Sequence, residues 1–399
     1  MRIGILTSGG DCPGINATIR GVCKTAINYY GMEVVGIHSG FQGLLTKDVE
    51  SITDKSLSGL LNLGGTMLGT SREKPFKKGG VVSDVDKPSL ILQNIHEIGL
   101  DCVVCIGGNG TQKTAAKFVA MGVNIVSVPK TIDNDLMCTD HTPGFGSAAK
   151  YVAATVQEIA RDSSVYSVKS VTVVEIMGRD AGWLTASTCV LKANDENAPH
   201  LIYLPETPFS VERFLEDVKR MLVEHNAVVV AVSEGLKLSD GEYAAEEFQS
   251  GHDDAFGHKY LSGIGKCLEN IVRKEIGCKV RSIELNVMQR CASHMASKTD
   301  VDESVKIGEE AVKAAVKGET GKMMAFKRIS DRPYFSEIVT VDAKEVANKE
   351  RLFPKEWINN QGNNVTAFAL DYFLPLIQGE VNVLMENGMP VHLKIPNWF

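Results

Sequence analysis

Eight short apolar runs punctuate the chain: IGILTS (3–8), EVVGIHS (33–39), CVVCIGG (102–108), NIVSVP (124–129), VTVVEIMG (171–178), LIYLPE (201–206), AVVVAVSEG (227–235) and VRSIEL (280–285). Most are apolar at successive positions rather than at alternate ones. That is the pattern of central parallel strands covered on both faces. Between them the spacing becomes helical. Val211, Phe214, Leu215, Val218 and Leu222 fall at i, i+3, i+4, i+7 and i+11 behind Ser210, which predicts a helix capped by that serine. Val152, Val156 and Ile159 predict a second helix behind Ser147.

Strand–helix alternation of this kind predicts an α/β protein. Eight strands are many for one sheet, so we expect two doubly wound, Rossmann-like units with mainly parallel sheets and the active site in the cleft between them. The first unit is expected over residues 1–140, completed by about 290–350. The second is expected over 141–289, completed by 351–399. The polar stretch 236–257 reads as an exposed insertion.

The 399 residues carry a formal net charge of −7 and no long basic block. This argues against nucleic acid or a membrane surface as a partner, so an anionic ligand would need locally gathered cations. No apolar run approaches the ~18 residues of a membrane span, and the opening MRIGILTSGG lacks a signal pattern, which predicts a cytoplasmic protein. Nine cysteines are scattered along the chain. The single CxxC, Cys102 to Cys105, lies on a predicted strand, where its thiols point to opposite faces. Reduced core thiols are expected.

In open parallel sheets, ligands sit beyond the carboxyl ends of the strands. Five polar motifs occupy those ends: SGGDCPGINA (8–17), GGNGTQKTA (107–115), PKTIDND (129–135), MGRDAG (177–182) and SEG (233–235). Gly9-Gly10 and Gly107-Gly108-Asn109-Gly110 each lead from strand to helix, where backbone N–H groups can approach a phosphate. No GxxxxGK[ST] loop, HExxH spacing or nucleophile elbow is present. Phosphate loops, a cation, paired carboxylates and no protein nucleophile point to phosphoryl transfer. Asp133 is the candidate base, and Asp135 could hold a metal or orient the loop.

At these motifs, together with GGTMLGTSR (64–72) and the arginine pair in VRSIELNVMQR (280–290), the first 300 residues resemble the phosphofructokinases. The resemblance implies transfer of a phosphoryl group to the 1-hydroxyl of fructose 6-phosphate, with Mg²⁺ as cofactor. It makes Asp133 the general base, Thr131 a positioner of the transferred phosphate and Arg179 a third catalytic group. Gly10, Arg72, Gly108, Asn109, Gly110, Thr111 and Lys130 fall in its donor site. Thr131, Ile132, Asp133, Met177, Gly178, Arg179, Glu234, Arg281, Val287, Met288, Gln289 and Arg290 fall in its sugar-phosphate site. It assigns donor binding to the first unit and fructose 6-phosphate binding to the second. Some 6-phosphate contacts cross between subunits in this family, so a homodimer or homotetramer is implied.

The chain departs from the family at several points. Asn109 stands where a metal-binding Asp is usual, leaving Asn109 and Asp135 as the metal candidates. Ser170 and Val287 replace an arginine and a histidine of the sugar-phosphate site. Of an effector site, Arg20 and Lys24 match, whereas Asp54 stands in place of an arginine. Pyrophosphate users in the family carry Asp at the position of Gly110 and Lys at that of Lys130. Gly110 leaves room for a nucleotide, so ATP is the expected donor and pyrophosphate the alternative. Two rivals are a non-catalytic phosphofructokinase-like subunit and a kinase of the NAD or lipid class, whose GGDGT loop resembles GGNGT.

Overall fold

The computed structural model describes residues 1–77, 86–194, 197–248, 263–347 and 349–392. Its strands are β1 (Arg2–Ser8), β2 (Glu33–Ile37), β3 (Val49–Ile52), β4 (Cys102–Gly107), β5 (Ile125–Pro129), β6 (Ser170–Ile176), β7 (Leu201–Tyr203), β8 (Ala227–Ser233), β9 (Lys279–Glu284), β10 (Lys322–Asp331) and β11 (Tyr334–Asp342), followed by a short two-residue ladder. Each of the eight apolar runs contains a strand. They divide between two sheets, ordered β11–β10–β5–β4–β1–β2–β3 and β7–β8–β6–β9. The smaller sheet is wholly parallel, and the larger one is parallel except for its edges β3 and β11.

Both faces of the larger sheet are covered, which is why its strands read as unbroken apolar runs. Ile3, Ile5, Val104, Ile106, Val126 and Val128 pack on Ile15, Ile19, Ile307 and Ala311, from the helices Ile15–Lys24 and Lys298–Val316. Leu6, Val103 and Ile125 pack on Phe41, Ile91 and Phe118 at the other face. Each such fully buried side chain stabilises the fold by about 1.5–3 kcal/mol. Cys102 joins the first cluster and Cys105 the second, as alternation along β4 requires, and all nine cysteines are free thiols.

Ser210 caps the helix Val211–Glu224, its Oγ accepting from the Arg213 N–H at 3.3 Å. The other predicted helix starts earlier than Ser147, at Phe145, and runs to Ser164. Ser147 lies inside its first turn. The capping acceptor is Asp300, from a distant helix, which takes the Gly144 N–H at 2.7 Å and the Ser147 N–H at 3.2 Å. A cap supplied from 153 residues away leaves no local signature. The expected exposed insertion also needs correcting. Leu236, Ala244 and Ala245 are buried in the core of the smaller sheet, so its first half is docked. Residues 249–257 lie outside the described residues.

Candidate functional site

Register aligns the polar motifs. Ser8 pairs with Gly107 and Gly107 with Pro129, so three loops leave the larger sheet at one level. Ile176 pairs with Ser233 in the smaller sheet, which sets Met177 beside Glu234. The two rims face each other across a cavity of about 310 Å³. Its walls include Gly10, Arg72, Gly108, Asn109, Gly110, Thr111, Lys130, Thr131, Ile132, Asp133, Asp135, Met177, Glu234 and Arg290. Local polar motifs scattered over 280 residues thus converge.

On the donor side, Gly9 adopts φ 93°, a left-handed conformation that suits glycine. It lets β1 turn over the Lys130 side chain, whose buried ammonium donates to the Gly10 carbonyl. Burial lowers the Lys130 pKa. Gly108 caps the helix Asn109–Ala120, so its first N–H groups open on the cavity. A Cβ built on Gly110 would meet open space. The Asn109 amide donates to the Lys349 carbonyl at 3.1 Å.

The acid loop lies opposite. The Asp133 N–H donates to Thr131 Oγ1 at 3.2 Å, and Asn134 takes φ 55°. Burial, reinforced by Asp135 and Glu234, holds the Asp133 carboxyl well above its ordinary range. Burial also raises Asp135 and Glu234. Such a carboxylate is poised to take a proton near neutral pH. The Gly178 N–H donates to Glu234 at 3.3 Å, and Ser233 Oγ to the Gly178 carbonyl, so the MGR and SEG loops are tied together. Gly235 is required there, because a Cβ would lie 1.7 Å from the Arg179 carbonyl oxygen.

Not every candidate reaches the cavity. Arg281, on the sheet edge, pairs with Asp162 at 2.8 Å. Val287 and Met288 are exposed, while Gln289 is buried and donates to the Asn286 carbonyl. Met177 lines the cavity, whereas Gly178 and Arg179 are not among its walls. Lys24 is bound to Asp54 at 2.5 Å, which neutralises that part of the effector-site match. Conversely, Asp11, Phe41, Lys74 and Thr114 line the cavity without having been singled out. Asp11 sits within the GGDC motif. Thr114 stands four residues after Gly110 on one helix, a spacing that could have flagged it.

One Asp135 carboxylate oxygen is buried and has no hydrogen-bond partner among the described residues. Asp133 and Asp180 act on it electrostatically, like charges that a dication would relieve. Mg²⁺ typically takes one or two carboxylates and completes its shell with substrate phosphates and water. The residues fit such an ion, with Asp135 the better oxygen donor than the Asn109 amide. Arg290 lines the cavity, and its Nε is buried with no hydrogen-bond partner among the described residues.

Residues 2–315 match the sequence profile of the family described as phosphofructokinase. The chain is 50% identical to the ATP-dependent 6-phosphofructokinase 3 of Bacteroides thetaiotaomicron, over 89% of this chain and 96% of that one. It is 33% identical to the pyrophosphate–fructose 6-phosphate 1-phosphotransferase of Halomonas elongata, over 97% and 94%. Among solved structures, a pyrophosphate-dependent phosphofructokinase from Marinobacter aquaeolei superposes with a TM-score of 0.86 at 30% identity, over 99% and 96%. Among the described residues, no helix is long and apolar enough to cross a membrane.

Proposed function

Given that the chain belongs to the phosphofructokinase family and is a phosphotransferase, we propose that it transfers the γ-phosphoryl group of ATP to the 1-hydroxyl of fructose 6-phosphate. The observation that carries the donor is Gly110, beside which a nucleotide phosphate finds open space and helix N–H groups. Asp133 takes the proton of the 1-hydroxyl as the oxygen attacks phosphorus in line. Its raised pKa matches it to that task near neutrality. Thr131 and the N–H groups of Asn109 and Gly110 position the phosphoryl oxygens, the Thr111 N–H being taken by the Gly108 carbonyl at 2.9 Å. Arg72 and Lys130 supply positive charge along the donor.

Arg290 grips the sugar 6-phosphate through its buried Nε, which has no hydrogen-bond partner among the described residues. Met177, Gly178, Arg179 and Glu234 hold the sugar. Arg281 lies outside its own chain's cavity, which favours its serving a neighbouring subunit in a homodimer or homotetramer. Mg²⁺, when bound, neutralises charge on the donor phosphates, with Asp135 the residue to hold it.

A second reading takes pyrophosphate as donor. The buried Lys130 ammonium favours it, since pyrophosphate packs its charge into a smaller space. Initial rates with ATP and with pyrophosphate, each with fructose 6-phosphate and Mg²⁺, separate the two. ATP should give the higher kcat/KM. Turnover with pyrophosphate alone would make the second reading correct, and no turnover with either would remove both.

A further inference from the structure

We propose that residues 349–353 form a strap that positions the acid loop against the donor loop, and that Asn109 is its anchor rather than a metal ligand. The strap touches three parts of the site at once. The Lys349 carbonyl accepts the Asn109 side-chain amide at 3.1 Å. Glu350 bridges to Leu136, and the Arg351 N–H donates to the Asp135 carbonyl at 2.7 Å. The Arg351 guanidinium lies 4.0 Å from the centre of the Trp183 ring, and the Trp183 indole N–H donates to the Arg351 carbonyl at 3.0 Å. The Phe353 N–H then shares Glu206 Oε1 with the Gly182 N–H, next to the MGR loop.

Chemistry at position 109 follows from this. A backbone carbonyl only accepts, so the group facing it must donate. Asparagine can donate, whereas an aspartate would set a carboxylate against the Lys349 oxygen. The asparagine therefore tethers a segment some 240 residues further along the chain to the donor loop. Asn109 and Arg351 are positioning residues: they act through the loops that carry Asp133 and Asp135. This rests on the phosphotransferase reading for its kinetic effect, but not for the tether itself.

Asn109→Asp tests it with two readouts. The expected result is a kcat lower by roughly three- to tenfold, the worth of one hydrogen bond. The KM for fructose 6-phosphate and the half-saturating Mg²⁺ concentration should stay within about twofold. Limited trypsin digestion of the whole protein should cleave after Lys349 and Arg351 several-fold faster, because the released strap exposes both bonds. Arg351→Gln should give the same pattern at Lys349, and it carries the test if Asn109→Asp does not fold. A lower Mg²⁺ requirement with kcat preserved in Asn109→Asp would overturn the proposal, as would unchanged cleavage in both variants. A parent inactive with ATP and with pyrophosphate would sink the functional reading alone, since proteolysis still reports the strap.

Discussion

Replacing Gly110 with aspartate probes donor choice with little disturbance to the fold. The added Cβ enters open space, and position 110 is the second residue of the helix Asn109–Ala120. An acidic side chain in a first turn interacts favourably with the helix dipole by about 0.3–1 kcal/mol, and removing a helical glycine helps further. Thermal stability should hold or rise, so lost activity cannot be blamed on unfolding. The cost falls on the nucleotide. A carboxylate about 4 Å from an ATP phosphate, at an effective dielectric near 20, costs about 4 kcal/mol. That corresponds to roughly a 10³-fold fall in kcat/KM for ATP. Any pyrophosphate activity should survive or increase, with the Lys130 ammonium offsetting the added charge. The assay measures kcat/KM for both donors in parent and variant, alongside the melting temperature. A stable Gly110→Asp protein that keeps ATP activity within tenfold of the parent would refute the reasoning.

Asp133→Asn should lower turnover by ~10²–10⁴ with the KM for fructose 6-phosphate little changed; an unchanged kcat would remove Asp133 from the chemistry. Because burial and neighbouring acids raise the Asp133 pKa, kcat should rise with pH through the neutral range as the base deprotonates, and a flat profile there would argue against it. Arg290→Ala should raise the KM for fructose 6-phosphate by about 10–10², the worth of a charged hydrogen bond, and normal binding would misplace the 6-phosphate. Stability carries its own pH signature at His141, which is bonded to Asp140 at 2.9 Å and Glu303 at 2.8 Å. Burial pulls its pKa down, but the two carboxylates outweigh it and hold it at about 9. Its contribution, on the order of 3 kcal/mol, is complete below pH ~6.5 and lost as pH rises through about 9. Chemical denaturation of parent and His141→Gln across that window should converge at the alkaline end, and parallel curves would refute the ion pair's role.

The central strands and the rim are legible in local patterning alone. Those strands are apolar on both faces because helices cover both, so their runs stand out without any partner being known. The Gly- and Asp-rich loops follow directly, since each strand end must turn into a helix and present backbone N–H groups. Strands β3, β10 and β11 left weaker marks. β3 is a short edge strand, and the outer halves of β10 and β11 mix exposed with half-buried positions, so each mixes polar with apolar residues.

Tertiary structure decided the rest. Asn109 finds Lys349, Asp300 caps a helix 153 residues away, and Arg281 stays at a sheet edge beside Asp162. The perturbed Asp133 is decided partly in the same way, because burial and the distant Glu234 and Asp180 add to the effect of its neighbour Asp135. A local sequence records what a segment must bury and how its backbone must turn. Which distant group completes a hydrogen bond, or lends a charge, depends on two segments meeting, and no pattern within either segment encodes that meeting.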